Sequence, residues 1–333
     1  MWRPGAGTTM RRQRQPSWLA HRLHKRVMRV SPPTAMSHDQ QPPSSASDDA
    51  PVIPLRFRPA QTQARVVAIA SGKGGVGKTN LAANFALALG RHGIRVLAVD
   101  ADLGLANLDI VLGLAPSHTS VDLLSGELDI EDILVPAKHD VWLLPGCSGS
   151  YEASNLEDLR RYELMTAIDT LDTRFDAVVI DTGSGLGPGT LGFCAAAEEV
   201  MLVVTAEPTG ISDGLGMLRA LHHRHGVRHV KVVTNLVGST DEGDAAFEQL
   251  RGLCSRSLDV RLENLGALPF DPHVGRAVMR GQPVSEAYPE SPFTQAMTRV
   301  ADRFLASNLR DARPGSSQIF WRRLLRQREH GAG

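Results

Sequence analysis

The sequence predicts an α/β protein built on a doubly wound, mostly parallel sheet. Three observations predict it. Short apolar runs rich in β-branched residues recur along the chain, stretches with helical spacing separate them, and the first run ends directly in a glycine-rich loop that opens a helix.

The elements follow in order. Residues 65–70 (RVVAIA) form the first strand, and residues 81–93 (LAANFALALGRHG) carry helical spacing closed by a glycine. Residues 95–100 (RVLAVD) and 141–146 (VWLLPG) are the next apolar runs. Residues 156–172 (LEDLRRYELMTAIDTLD) read as a helix before the run 175–182 (FDAVVIDT). The run 200–208 (VMLVVTAEP) leads into a helix over 211–226 (ISDGLGMLRALHHRHG), and 229–235 (HVKVVTN) and 265–270 (LGALPF) complete the set. Continuous rather than alternating hydrophobicity means strands buried on both faces, as a parallel sheet requires. One domain, about residues 62–308, accounts for the pattern.

Composition bounds the partners. The chain has 333 residues, 36 basic and 36 acidic side chains, and a net charge near zero. No whole-protein pull toward nucleic acid follows from that balance. Cys147, Cys194 and Cys254 are widely spaced, without a CxxC pair, and read as free thiols of a reducing compartment. No apolar run approaches the roughly 20 residues of a membrane-spanning helix. The first 35 residues are arginine-rich and carry no acid. They fit a disordered basic arm, a transit-like peptide, or an extension upstream of a start at Met36; the arm or the extension is preferred. Residues 37–60, rich in Ser, Pro, Gln and Asp, read as a linker, so residues 1–61 stand outside the folded domain.

The chemistry concentrates after the first strand. Gly72, Gly77, Lys78 and Thr79 fit the pattern G-x-x-x-x-G-K-[ST] between a strand and a helix. Glycines let backbone N–H groups converge on phosphate oxygens, and the helix N-terminus adds its positive end. The cradle is Gly72, Lys73, Gly74, Gly75, Val76, Gly77, Lys78, Thr79 and Asn80, with Lys78 directed at β- and γ-phosphates and the Thr79 hydroxyl at Mg²⁺. ATP and Mg²⁺ are the implied ligands. Asp181 ends a buried strand, where a carboxylate partner of the metal belongs, and Thr182 follows it instead of a water-orienting glutamate. That absence predicts slow turnover. Asp100 and Asp102 alternate after the second strand, at the sheet edge where open α/β folds bind ligands. One can face metal and water while the other braces the loop, and Asn107 is a further polar candidate. Asn235, Pro269 and Asp271 lie at later strand ends, where an adenine would sit: the Asn235 amide can pair with the base, and the backbone of 269–271 can wall it.

One lysine is surplus. The chain has five lysines, and two of them, Lys73 and Lys78, lie within six positions. Lys73 suits either the charge of a nucleotide on a neighbouring subunit, like an arginine finger in trans, or a plain solvated role.

With that second lysine, KGGVGKT resembles the deviant phosphate-binding loop of the MinD/ParA class of ATPases. The segments GKTN, DADLGLANLD, EPTGISDGLGMLR, TNLVGSTDEGDAAFEQL and LGALPFDPHVGRAVMRGQPVSEAYPESP are most similar to its flagellar-number-regulator branch (FlhG, FleN, YlxH-like), over about residues 64–305. The resemblance implies a P-loop fold and an ATP-driven face-to-face homodimer in which Lys73 reaches the partner's phosphates. It also implies slow hydrolysis that returns monomers. Lys78 and Thr79 match the phosphate and Mg²⁺ residues, Asp102 the first switch aspartate and Asp181 the second. It further implies two partners, a flagellar master transcription activator and the GTPase FlhF. The branch's N-terminal D-Q-A-x-x-L-R segment is reduced here to Asp39 and Gln40, followed by Gln41, Pro42 and Pro43, and the prolines argue against stimulation of that GTPase.

After a Pro/Gly/Ser hinge, residues 309–333 end in a basic amphipathic pattern. Phe320, Trp321, Leu324 and Leu325 share one arc, and Arg322, Arg323 and Arg326 gather opposite. Residues 318–328 therefore suit an anionic membrane, bound weakly by one copy and by avidity in a dimer. The protein is expected in the cytoplasm, reversibly on the inner membrane face. A division-site MinD shares these features, a DNA-partitioning ParA needs a basic dimer surface, and an electron-transfer relative needs paired cysteines.

Overall fold

The computed structural model describes residues 64–102, 105–147, 158–171 and 173–307. The expectations for residues 1–61, for Asp39 and Gln40, and for the tail 309–333 fall outside the described residues.

The strands are β1 (Arg65–Ala70), β2 (Val96–Ala101), β3 (Val135–Pro136), β4 (Val141–Leu144), β5 (Ala177–Thr182), β6 (Glu199–Thr205), β7 (His229–Val237) and β8 (Arg261–Pro269). They form one sheet in the order β3-β4-β2-β5-β1-β6-β7-β8, parallel throughout except at the β3–β4 edge. The helices are α1 (Lys78–Arg91), α2 (Leu108–Leu112), α3 (Ser120–Ser125), α4 (Asp158–Asp169), α5 (Pro188–Ala196), α6 (Pro208–His225), α7 (Thr240–Ser255), α8 (Pro272–Val278), α9 (Val284–Ala287) and α10 (Pro292–Ala306), with a 3-10 turn at Ile130–Ile133.

The strands are buried on both faces, and alternation divides their side chains between two cores. Val66 and Ala68 pack with the 3-10 turn and α4 to α7, while Val67 and Ile69 pack with α1, α2 and α8 to α10. β1 is central, and order reverses around it, so its C-terminal end is the crevice where such sheets take ligands.

Most predicted runs are strands with the expected cores, and three boundaries differ. β6 ends at Thr205, because Pro208 starts α6, where its missing N–H costs nothing. β8 begins at Arg261, well before its apolar run, because pairing with β7 supplies its hydrogen bonds. The two-residue β3 carries Pro136, which an edge strand tolerates.

The N-terminal edge holds a buried ionic network. Arg65 of β1 pairs with Glu199 of β6, Lys231 of β7 reaches Glu199 at 2.7 Å and Glu263 of β8 at 3.4 Å, and the Arg65 guanidinium lies 3.7 Å over the Phe304 ring. Ser307 joins this network, its hydroxyl donating to Glu263 at 2.9 Å and its carbonyl accepting from Arg65 at 3.4 Å. Removing one member would leave a buried charge uncompensated, at a cost of about 3–5 kcal/mol.

Candidate nucleotide-binding site

The loop from Ser71 to Thr79 turns from β1 into α1, and its backbone geometry depends on glycine at two points. At Gly72 a Cβ would lie 2.1 Å from the Asp213 carbonyl oxygen of α6. At Gly77 the backbone is left-handed (φ 85°), and a Cβ would lie 2.5 Å from the Asn235 amide nitrogen. Gly74 and Gly75 stand exposed at the apex, and Val76 is buried beneath them.

The start of α1 has no side-chain cap and no acid in its first turn. By contrast α3, α7, α8 and α10 are capped by Thr119, Ser239, Asp271 and Ser291. The first amides of α1 are thus left for an anion, which is the arrangement a polyphosphate uses. Asn80 lies in this first turn, and its carbonyl accepts from Asn84 at 2.8 Å.

The structure brings Lys78, Thr79 and Asp181 together. The Lys78 ammonium is 3.5 Å from the Asp181 carboxylate, and both are buried. Thr79 acts on the same carboxylate and lowers its pKa. Burial pushes the Asp181 carboxyl up, and Lys78 and Thr79 pull it partly back. Thr182 is fully buried, and its hydroxyl donates to the Ile69 carbonyl of β1 at 2.9 Å.

Of Asp100 and Asp102, the hydrogen bonds make Asp100 the one that braces the loop. Asp100 pairs with Asp181 across β2 and β5. Its carboxylate accepts from the N–H groups of Asp102 (3.2 Å), Asn107 (3.0 Å) and Leu108 (2.9 Å), so it braces the loop. Burial first, then the charge of Asp181, raise its pKa to about 7 against those three bonds. Asp102 is half-buried and faces Gly183, whose Cβ would lie 3.7 Å from its carboxylate oxygen. Asn107, expected as a catalytic polar group, is exposed and turns its amide onto the Leu105 carbonyl at 2.7 Å. That is a turn contact at the start of α2.

At the β7 end, the Asn235 amide nitrogen donates to the Val76 carbonyl at 2.7 Å, clamping the phosphate loop. Its Oδ1 is buried and accepts no hydrogen bond among the described residues. An acceptor in that position fits the exocyclic amine of adenine. Just beyond it the ladder to β8 bulges, with Leu236 at φ 60°. Pro269 ends β8, half-buried. The Asp271 carboxylate is engaged as a cap: it accepts from the His273 N–H (2.9 Å) and ring (2.8 Å) and from the Phe293 N–H (3.1 Å). Desolvation pushes its pKa up, and these bonds outweigh it, so the carboxyl is held below its ordinary value. The backbone of 269–271 is left to wall a base.

Lys73 stands apart from this cradle. Its ammonium is 3.2 Å from the carboxylate of Glu207 and 3.5 Å from the Thr209 hydroxyl, and its side chain is 40 % exposed. Sequence reasoning missed Glu207. Its signal was an acid directly before the helix-starting Pro208, at the end of β6.

Two chemistries are weak here. Among the described residues no group of three or more His, Cys, Asp or Glu could hold a metal ion. Cys194 is sealed within α5, where burial pushes its thiol up to about 12, and Cys254 is also buried.

Comparison with known proteins agrees with this geometry. The family model described as the CobQ/CobB/MinD/ParA nucleotide binding domain matches residues 67–284. The antiactivator FleN of Pseudomonas aeruginosa is 37 % identical over 268 residues, spanning 80 % of this chain and 96 % of its own. The flagellum site-determining protein YlxH of Helicobacter pylori is 28 % identical, over 74 % of this chain and 84 % of its own. Among solved structures, the septum site-determining protein MinD of Pyrococcus horikoshii, complexed with Mg-ADP, superposes with a TM-score of 0.62 at 30 % identity, over 73 % of this chain and 98 % of that one.

Proposed function

This chain belongs to the CobQ/CobB/MinD/ParA nucleotide-binding family, and from that premise we propose that it is an ATP-dependent dimerising switch that sets flagellar number or placement. The carrying observation is the contrast between the two lysines of one loop. Lys78 is buried against Asp181, inside its own subunit's cradle, whereas Lys73 is exposed and held only by surface groups of the same subunit. A cation outside its own phosphate cradle is suited to another subunit's nucleotide.

In this reading the amides of residues 74–79 hold the β- and γ-phosphates, and Lys78 leaves Asp181 for them. Mg²⁺ supplies neutralisation of phosphate charge when bound, and Thr79, Asp181 and Asp102 are the residues that would hold it. The Asn235 carbonyl oxygen accepts from the adenine amine. Lys73 leaves Glu207 and crosses to the partner's phosphates, so ATP joins two subunits. Hydrolysis is slow, because Thr182 offers no water-orienting group. The family domain occupies about residues 62–308, and residues 318–328 take the ATP dimer to the inner face of an anionic membrane.

The flagellar assignment is supported by FleN and YlxH, whose names carry antiactivation and flagellum siting. A flagellar master activator and an FlhF-type GTPase are the partners this implies. A division-site role is the alternative, and counting flagella and minicells in a deletion strain separates the two.

The deciding experiment sizes the full chain without nucleotide, with ADP and with ATP. A dimer only with ATP, lost in Lys73→Ala, is expected. A size indifferent to nucleotide overturns the reading.

A further inference from the structure

The end of β8 holds an aromatic ring that folding leaves in water. Phe270 is 68 % exposed, and its ring has no aromatic or cationic neighbour among the described residues. Its backbone, by contrast, is fixed on both sides. The Phe270 N–H donates to the Val237 carbonyl of β7 at 2.8 Å. Pro269 precedes it with a restricted φ. Asp271 follows it as the cap of α8, and the same carboxylate takes the Phe293 N–H of α10 at 3.1 Å. A ring carried on a fixed backbone loses little freedom when a ligand covers it.

Leu236 adds a second apolar surface. It is the residue that the β7–β8 bulge leaves unpaired, since Asn235 pairs with Leu268 and Val237 with Pro269. Its backbone is left-handed at φ 60°, a conformation that bulky residues avoid, and its side chain is 46 % exposed. Bulges re-aim the side chains beside them, and strain of this kind clusters at ligand clamps.

Both residues lie beside the buried, unpartnered Oδ1 of Asn235. Phe270 is two positions beyond Leu268, the registered partner of Asn235, which is about 7 Å along an extended chain. A base whose amine meets that oxygen therefore comes within reach of the ring. The two side chains offer different chemistry. The Asn235 amide nitrogen is engaged by the Val76 carbonyl, so Oδ1 accepts only and demands a donor on the base edge. The ring offers a π-face, which every base can match. We propose that Phe270 stacks on the face of the nucleotide base, with Leu236 as its apolar neighbour. Phe270 then supplies affinity for the base, and Asn235 supplies its identity. This rests on the adenine reading of Asn235 and adds to it the side chain that covers the ring.

The test is calorimetric titration of the full chain with Mg-ADP and with magnesium pyrophosphate, which has the phosphates without the base. ADP is used because, in the switch proposed above, it leaves the chain monomeric. Phe270→Ala should weaken ADP binding by about 5- to 150-fold, the range that base–aromatic stacking supplies, and leave pyrophosphate binding unchanged. Phe270→Tyr should bind ADP like the parent, and both variants should unfold at the parent's urea midpoint. Purine riboside diphosphate, which lacks the amine, should bind more weakly than ADP by the same factor in the parent and in Phe270→Ala. Parent-like ADP affinity in Phe270→Ala overturns the proposal. So does equal weakening of ADP and pyrophosphate, which would mark a disturbed phosphate loop rather than a lost stack. A parent that holds ADP no more tightly than pyrophosphate overturns the adenine reading itself, and the stacking falls with it.

Discussion

Glu207→Gln should make ATP-driven dimers tighter. In one subunit Lys73 lies 3.2 Å from the Glu207 carboxylate, and it must leave that partner to cross to another subunit. At the dielectric of water the attraction at this distance is about 1.3 kcal/mol before screening. The two side chains are 40 % and 64 % exposed, so side-chain entropy and counter-ions reduce the net value to about 0.2–1 kcal/mol. A two-fold dimer releases the pair twice. The substitution should therefore lower the dimer dissociation constant by roughly 2- to 30-fold at low salt. Sedimentation velocity across a concentration series, in ATP and in a hydrolysis-deficient Asp102→Ala background, measures it. The advantage should shrink as salt rises, because the screening length falls from about 10 Å at 0.1 M to about 3 Å at 1 M. A weaker dimer would refute the reasoning, since Glu207 would then be a docking partner for the other subunit's lysine. An unchanged dimer would show that the pair does not hold Lys73 back.

Three further outcomes are expected. Asp102→Ala should keep ATP binding and dimerisation while phosphate release falls at least about tenfold, and parent-like turnover in a phosphate assay would remove Asp102 from the chemistry. Gly77→Ala puts a Cβ on a left-handed residue and against Asn235, so it should cost about 1–3 kcal/mol in urea unfolding and abolish binding of a fluorescent ATP analogue. Asp100, raised to about 7 in the fold, binds a proton that the unfolded chain has released between about pH 4 and 7, so its contribution to stability declines as pH rises through that window. Asp100→Asn should remove that slope, read as a smaller change in urea midpoint between pH 5 and pH 8 than the parent shows.

The sheet was legible because parallel strands buried on both faces leave continuous apolar runs, as in RVVAIA and FDAVVIDT. The phosphate loop was legible because its glycines answer to local backbone demands, seen at Gly77. What stayed hidden depends on contacts across the chain. Whether Asp100 or Asp102 braces the loop follows from the N–H groups of residues 102, 107 and 108 closing on Asp100, which alternation alone leaves open. That the Asn107 amide turns onto the Leu105 carbonyl and that the Asp271 carboxylate caps α8 was hidden, because turn, cap and ligand residues share one polar vocabulary. Glu207 was invisible because its partner lies 134 positions away.

The Thr182 hydroxyl, held on the Ile69 carbonyl in a fully buried site, has one more consequence. A glutamate there would bring an uncompensated charge into the junction of β1 and β5, so a single substitution is a poor route to a faster enzyme. In the switch proposed here, the lifetime of the ATP state is then a clock with no internal spring. Its setting is left to whatever docks on the outside, and a partner that supplies one polar group can shorten it without altering the fold.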